Sequence, residues 1–308
     1  MVAPEFQTPL RKNIVMKIGF AFIGIGLAAD PDIVSLIATT TEACGYHSLW
    51  APEHIVLLDK YIAKYPYSQD GVAPFPSMKV DFLDPFLALT YAAAVTKRIR
   101  LGTGICLLPE RHPVIAAKEV ASLDKLSKGR FDFGVGVGWM KEEFDALQIP
   151  WPKRAQRTRD YLAAMQALWT QAESSHHGEF CEFEPVRSYP KPIQSPHPPL
   201  IFGGESDAAL KRVGEIGNGW WGVNVSPDAA KLHLATIKIF ADAAGRDAST
   251  LSYAVSPQLG APISLDEVKQ FADAGIDQVV VGAFGESSDE YKQIIEAGAE
   301  SLIVPMSA

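Results

Sequence analysis

With 308 residues and a net charge of -8, the chain is long enough for one large domain. It is too acidic to suit a nucleic-acid or anionic-membrane partner, although a local phosphate site is compatible with that balance. Apolar residues make up 47% of it, enough for a sizeable core, and parallel α/β barrels reach this size undivided. Its three cysteines, Cys44, Cys106 and Cys181, are odd in number and widely spaced. They set up neither a disulfide framework nor a metal site and point to a reducing, cytoplasmic setting. The opening residues MVAPEFQTPLRKNIV hold no long apolar run of the kind a secretion signal needs, and Ile18–Ala29 is too short to span a bilayer.

In chain order, a loose tail over Met1–Asn13 leads to a first strand over Met16–Ile23 and a helix over Asp32–Cys44 that Gly45 stops. A second strand, Ser48–Ala51, runs into Pro52-Glu53-His54 and an aperiodic insertion as far as Phe82, a length that usually marks function or mobility. A helix over Asp84–Val95 and a third strand over Arg100–Cys106 follow. Pro113 then opens a helix that ends at Lys128-Gly129, and Arg130–Val137 is the fourth strand. Trp139–Pro152 reads as irregular, Lys153–Thr170 as a long helix, and Gln171–Pro199 as a second insertion. Leu200–Phe202, Gly219–Gly222, Leu251–Val255 and Gln278–Gly282 read as strands. They alternate with helices over Ser206–Ile216, Pro227–Ala244, Leu265–Ala274 and Ser287–Ile303. Eight strands, each followed by a helix, close naturally into a (β/α)8 TIM barrel with insertions after strands two and four; an open doubly wound sheet is the competing topology.

A barrel of this kind carries its chemistry at the carboxyl ends of the strands. At the second tip stands His54, an imidazole able to exchange a proton near neutral pH, with Glu53 beside it. At the third tip the loop holds Glu110, Arg111 and His112, a cation and an imidazole at the mouth. Gly134, Gly136 and Gly138 alternate along the fourth strand, so all three share a face that a flat ring or another backbone can approach. Gly203-Gly204-Glu205-Ser206 hands the fifth strand to a helix, a place where backbone N–H groups bind phosphate. Glu205 has the wrong charge for that role and must point away. Gly282-Ala283-Phe284-Gly285 is a rival site at the eighth tip. Trp139, Trp220 and Trp221 are candidate walls for an aromatic ligand. His176-His177 has no third ligand at metal spacing, so no metal is assigned.

The tract LGTGICLLPERHPVIAAKEVASLDKLSKGRFDFGVGVGWMKEEF resembles the luciferase-like monooxygenase superfamily, as do GYHSLWAPEH and PPLIFGGESDAALKRVGEIGNGWW, in the same order. MKEEFDALQIPWPKRAQRTRDYLAAMQALW, followed by PVRSYPKPIQSPHPPLIFGG, is most like the branch labelled F420-dependent. The resemblance implies a TIM-barrel oxidoreductase that binds the deazaflavin F420 or, alternatively, FMN, acts on a small organic molecule and is commonly a homodimer. By the same resemblance His54 is the catalytic histidine. Gly104 and Ile105 are the place of a third-strand bulge with a non-prolyl cis peptide behind the ring. Gly203, Gly204 and Ser206 hold the cofactor phosphate; strand position, rather than the resemblance, sets Gly136 and Gly138 against the cofactor and Trp139, Arg111 and Trp220 in a substrate pocket. One departure stands out: where a sugar-phosphate dehydrogenase branch has a proton-donating glutamate, this chain has Trp139, and Glu142 and Glu143 follow without matching. The rival classes are a barrel isomerase or aldolase, for which only Glu53 is suitably placed, and a cofactor-binding protein without turnover.

Overall fold

The computed structural model describes residues 16–68, 70–73, 79–258 and 260–307. The predicted tail Met1–Asn13 lies outside the described residues. Nine strand segments alternate with helices around a closed ring: β1 (Lys17–Ala21), β2 (Ser48–Ala51), β3 (Arg100–Thr103), β4 (Cys106–Leu107), β5 (Phe131–Gly136), β8 (Leu200–Gly203), β9 (Gly219–Val223), β10 (Ser252–Ser256) and β11 (Gln278–Gly282). Segments β3 and β4 are two halves of one barrel strand. Every neighbouring pair around the ring is parallel, from β3–β2–β1–β11–β10–β9–β8–β5, and a β3–β5 pairing closes it. The result is the eight-stranded parallel TIM barrel expected from the strand count.

Alternation along each strand sorts the side chains into two layers. Ala21, Trp50, Ile201, Trp221, Ala254 and Val280 point into the barrel, where the Trp50 and Trp221 rings lie 4.6 Å apart. Phe20, Leu49, Leu101, Phe133, Phe202, Trp220 and Val279 point outward into the larger core beneath the helices.

The helices are α1 (Pro31–Ala43), α2 (Pro85–Val95), α3 (Pro113–Leu126), α4 (Lys141–Ala146), α5 (Arg154–Thr170), α6 (Asp207–Ile216), α7 (Pro227–Ala243), α8 (Leu265–Asp273), α9 (Ser288–Gly298) and α10 (Val304–Ser307). Their starts follow the capping rules: Asp30, Asp84, Ser206, Ser226, Ser264 and Ser287 each accept a backbone N–H of the first turn. Proline opens α1, α2, α3 and α7.

Three predicted segments differ. Trp139–Pro152 is not wholly irregular, since it contains α4, a helix too short to show periodicity in sequence. The helix predicted over Ser287–Ile303 changes to a wider π-type turn at Ala299–Ile303. The second insertion, Gln171–Pro199, has secondary structure of its own. It forms a hairpin of β6 (Ser174–His177) and β7 (Glu182–Val186) laid along α5. Asp160 of α5 anchors it, pairing with His176 Nε2 at 2.7 Å and accepting Phe180 N at 2.6 Å and Cys181 N at 3.0 Å. No helix of the described residues is long and apolar enough to cross a membrane.

The chain's return from this hairpin is pinned by Asp124 of α3. Its buried carboxylate accepts the backbone N–H groups of Ile193 (2.6 Å) and Gln194 (3.0 Å) and the Gln194 side chain (2.7 Å). Asp124→Ala strands these donors, and each buried unsatisfied donor costs about 1–3 kcal/mol. The expected loss is about 2–3 kcal/mol of stability in urea unfolding at unchanged m-value, which would mark lost contacts rather than an altered unfolded state.

Candidate active site at the carboxyl end of the barrel

The third barrel strand is broken where the resemblance places its bulge. Gly102 pairs with Asp132 and Cys106 with Val135, so three residues of this strand stand opposite two of the next. The Gly104-Ile105 peptide is cis. The extra residue pushes Ile105 into the barrel, where it packs with the inward-facing cluster. The glycines opposite make room for it: a Cβ on Gly136 would stand 2.8 Å from Ile105 Cγ2, and one on Gly203 3.3 Å from Ile105 Cγ1. The small face of the fourth strand is therefore used first by the protein's own bulge.

His54 lies just past β2 with its side chain 7% exposed. Its Nδ1 is 2.8 Å from Oε2 of Glu143, whose side chain is wholly buried. The other oxygen of Glu143 accepts the N–H groups of Ile55 (2.7 Å) and Val56 (3.2 Å). The preceding residue repeats the device: Glu142 accepts Ile62 N (2.6 Å) and Ala63 N (3.2 Å). Two consecutive carboxylates of α4 thus clamp the first insertion. Its aromatic side chains close on Trp139, whose ring lies 5.9 Å from His54, 5.9 Å from Tyr61 and 5.2 Å from Tyr65. Farther round, Asn224 donates from its side chain to the Tyr67 carbonyl. The first insertion therefore reaches across the tips of strands two, four and six. Glu143, which follows the fourth strand without matching the family's proton-donating glutamate, is nevertheless the carboxylate that meets His54. The available signal was an acidic pair directly after a barrel-strand tip.

Other predicted residues are placed differently. Arg111 does not face an open pocket: its guanidinium is bonded to Glu53 and Asp84 and lies 3.3 Å from Glu119, a structural ion-pair cluster behind the mouth. Trp220 is fully buried outside the barrel wall, where Nε1 donates to the Gly204 carbonyl at 3.0 Å; it shapes the strand-five turn rather than lining the interior. Trp221 is the inward-facing member of that pair. Ser206 caps α6 through Ala209 N at 3.3 Å. Glu205 turns away from the helix start, as a phosphate there would require, and accepts Val223 N at 2.8 Å. The rival turn after strand eight is taken up by Phe284 stacked on Phe22 at 4.9 Å. Of two cavities, one of about 430 Å3 lies at the amino end of the barrel beside Met16, Glu42 and Arg98, and one of about 260 Å3 lies at the carboxyl end, among the loops after the sixth and seventh barrel strands, beside Asn224, Gln258 and Phe271. Among the described residues no cluster of three metal-ligating side chains occurs.

Two acids at the mouth hold their protons unusually tightly. Burial pushes Glu110 up to about 9, helped by the nearby charges of Glu143 and Glu53 and opposed by Arg111; neither of its buried oxygens has a hydrogen-bond partner. Burial raises Glu205 to about 7, against the lowering effect of Val223 N–H.

A closed barrel whose strand tips carry a carboxylate-oriented histidine, a bulged third strand and a helix-start turn is the arrangement that the resemblance implied for a barrel oxidoreductase. Comparison with known proteins gives the family. Residues 23–300 match the luciferase-like monooxygenase family, and the chain belongs to it. An uncharacterised protein of Mycobacterium tuberculosis is 34% identical over 269 residues, covering 86% of this chain and 92% of that protein. The FMNH2-dependent dimethylsulfone monooxygenase of Pseudomonas putida is 30% identical over 212 residues, covering 68% of this chain and 56% of that protein. Among solved structures, the coenzyme F420-dependent tetrahydromethanopterin reductase of Methanopyrus kandleri has the same fold. It matches with a TM-score of 0.75 at 19% identity, over 94% of this chain and 99% of that one.

The raised pKa of Glu110 has a signed consequence for stability. Below pH 4.5 the carboxyl is protonated folded or unfolded and adds nothing; as pH climbs from 4.5 to about 9 the unfolded chain ionises and the folded one resists. Stability linked to Glu110 is lost across that window. Glu110→Gln should therefore gain in melting temperature over the wild type as pH rises from 4.5 toward 9. A parallel pH dependence of the two proteins would refute the assignment.

Proposed function

We propose that this oxidoreductase is F420-dependent and moves a hydride to or from a small organic substrate, with His54 exchanging the accompanying proton. The observation that supports this most is the buried His54–Glu143 pair at a mouth roofed by aromatic side chains. With Nδ1 committed to Glu143, proton exchange with a substrate hydroxyl or carbonyl falls to Nε2, and the carboxylate steadies the imidazole when it carries charge. Glu143 touches no reacting atom in this scheme; it positions His54.

The residues present fit such a group. By the resemblance, Gly104 and Ile105 are the position that F420-binding members of the family bulge behind the ring, and Gly136 and Gly138 would adjoin it. Gly203, Gly204 and Ser206 would hold the phosphate: Gly204 has φ of 103°, a left-handed conformation that suits glycine, and Glu205 is turned aside. When bound, the cofactor supplies the two-electron chemistry; the protein supplies position, proton exchange and exclusion of water. Tyr61, Tyr65 and Trp139 form the cover, and Trp139 is the wall nearest His54. A second reading, an FMN-dependent monooxygenase using reduced flavin and O2, is favoured by the likeness to the dimethylsulfone monooxygenase.

We also propose a single working barrel domain, a cytoplasmic location that suits the three unpaired cysteines, and a homodimer. Leu87, Tyr91 and Val95 of α2 and Ile115 of α3 leave an exposed apolar face on the outside of the barrel, the kind of surface a second copy would cover.

One titration separates the cofactor readings: the apoprotein is mixed in turn with F420 and FMN, and the ring's absorbance and fluorescence report binding. Preferential F420 binding, with substrate turnover that consumes no oxygen, is the expected result; oxygen uptake with reduced FMN would favour the monooxygenase. His54→Ala should retain cofactor affinity while turnover falls by about 10²–10⁴-fold, and full activity would remove His54 from the mechanism. Glu143→Gln should lower turnover less and shift the ring resonances of His54, which a purely structural Glu143 would leave in place.

A further inference from the structure

The cavity of about 430 Å3 at the amino end of the barrel opens between the end of α1, the starts of β1, β2 and β3, and the last turns of the chain. Its volume is that of a small-molecule site, about 300–1,000 Å3. The amino end of a TIM barrel ordinarily serves stability, and several polar groups here do so. Glu42 accepts the N–H groups of Lys97 (2.9 Å), Arg98 (2.5 Å) and Ile99 (2.9 Å) and so closes the turn into β3. Tyr46 donates its hydroxyl to the Ile295 carbonyl at 2.9 Å, and Arg100 is paired with Asp132.

Three side chains on the cavity lack such partners. Lys17 is exposed and makes no ion pair among the described residues. The Arg98 guanidinium reaches the Glu42 carbonyl at 3.4 Å and no carboxylate. The half-buried His47 ring has no hydrogen-bond partner among the described residues. Burial and the charges of Lys17 and Arg100 push His47 down to about 4, so at neutral pH it is an uncharged ring with one N–H to give. Polar side chains withdrawn from water are ordinarily bonded. This one holds no bond and sits among cations, and an anion placed there would reverse both conditions.

The charge count limits what that anion can be. Lys17 and Arg98 bring two positive charges, Glu42 brings one negative and His47 none, which leaves a place for one negative charge. Much of the remaining lining is apolar, from Met16, Ile18, Tyr46, Ile303 and Met306. Ile303 ends the π-type turn Ala299–Ile303, a departure from α geometry that recurs at functional sites. Apolar walls with a few polar groups at one side are how a small-molecule site fixes orientation. A singly charged head on a hydrocarbon body suits that lining better than a phosphate or a small free anion.

We propose that this cavity is a further ligand site, for a carboxylic acid with an apolar body: Lys17 and Arg98 hold the carboxylate, the His47 N–H donates to it, and the hydrocarbon packs on Tyr46, Ile303 and Met306. The site lies at the opposite end of the barrel from His54 and is independent of the proposed reaction.

The test uses the full chain with octanoate as the probe and octan-1-ol, octylamine, acetate and inorganic phosphate as controls. Calorimetry gives the affinities, and NMR follows the His47 ring. Octanoate should bind and move the His47 ring resonances, as a new anionic partner must. Each control should bind at least tenfold more weakly. Lys17→Met and Arg98→Met alter exposed side chains and leave the backbone bonds to Glu42 intact; each should weaken octanoate at least tenfold. Ala43→Trp, which fills the cavity from the exposed end of α1, should abolish binding. His54→Ala should bind octanoate as the wild type does. Loss of binding in His54→Ala would move the carboxylate to the barrel mouth and overturn the site. Octan-1-ol or phosphate binding as tightly as octanoate, unchanged affinity in both charge variants, or a wild type that binds no octanoate would overturn it as well.

Discussion

Glu143 sits wholly buried where the strand-two loop, α4 and the first insertion meet, and both its oxygens are used there. Its bond to His54 would be an ordinary side-chain contact on its own. Accepting Ile55 N and Val56 N as well, the same carboxylate fixes the backbone that follows the histidine, so ring and chain are oriented by one group. A carboxylate with several donors around it is a strong local constraint, and here it spans 89 residues of sequence. The first insertion is thereby attached beside His54 as well as at Ile62 and Ala63. Tyr61 and Tyr65 close on Trp139 because the segment carrying them is held by α4, whose carboxylates come directly after the fourth strand.

The second constraint is steric. Displacing Ile105 into the barrel needs a partner strand with little on its inner face, and Gly134, Gly136 and the neighbouring Gly203 provide that. Trp50 and Trp221 fill the floor below. The inner surface near the mouth is consequently shaped by one branched side chain standing among glycines above two indoles. That inner surface is apolar, and packing alone produces it.

Most of the fold was legible in the sequence because its grammar is local. Prolines and Asp or Ser caps set the helix starts, glycines followed several helix ends, and short β-branched or aromatic runs gave the strands. His54, Gly104, Ile105 and the Gly203–Ser206 turn could be placed because each follows from strand position or from the resemblance. What was not legible depends on long-range partners. The ion pairs that withdraw Arg111 come from Glu53, Asp84 and Glu119, three separate elements. The face taken by Trp220 follows from which residue of a short strand points inward, and Trp220-Trp221 gives no alternation to decide it. The hairpin of the second insertion was hidden because its strands are polar and held by Asp160, a residue of a helix.

The distribution of unmet polar groups separates scaffold from site. At the amino end of the barrel, Arg130 donates to the carbonyls of Ala93, Thr96, Ile99 and Ser127, and the ends of two helices are satisfied by one side chain. Asp124 and the Arg100–Asp132 pair are equally complete. Among the described residues, the buried side-chain atoms without partners belong to Ser68, Glu110, Glu142 and Arg212. Ser68 is in the covering insertion, Glu110 and Glu142 follow the third and fourth strand tips, and Arg212 follows the fifth. A chain that satisfies its polar groups so fully elsewhere has no folding reason to leave these open, and each lowers stability where it stands. Ser68, Glu110 and Glu142 lie at the carboxyl end of the barrel, the end that carries the His54–Glu143 pair.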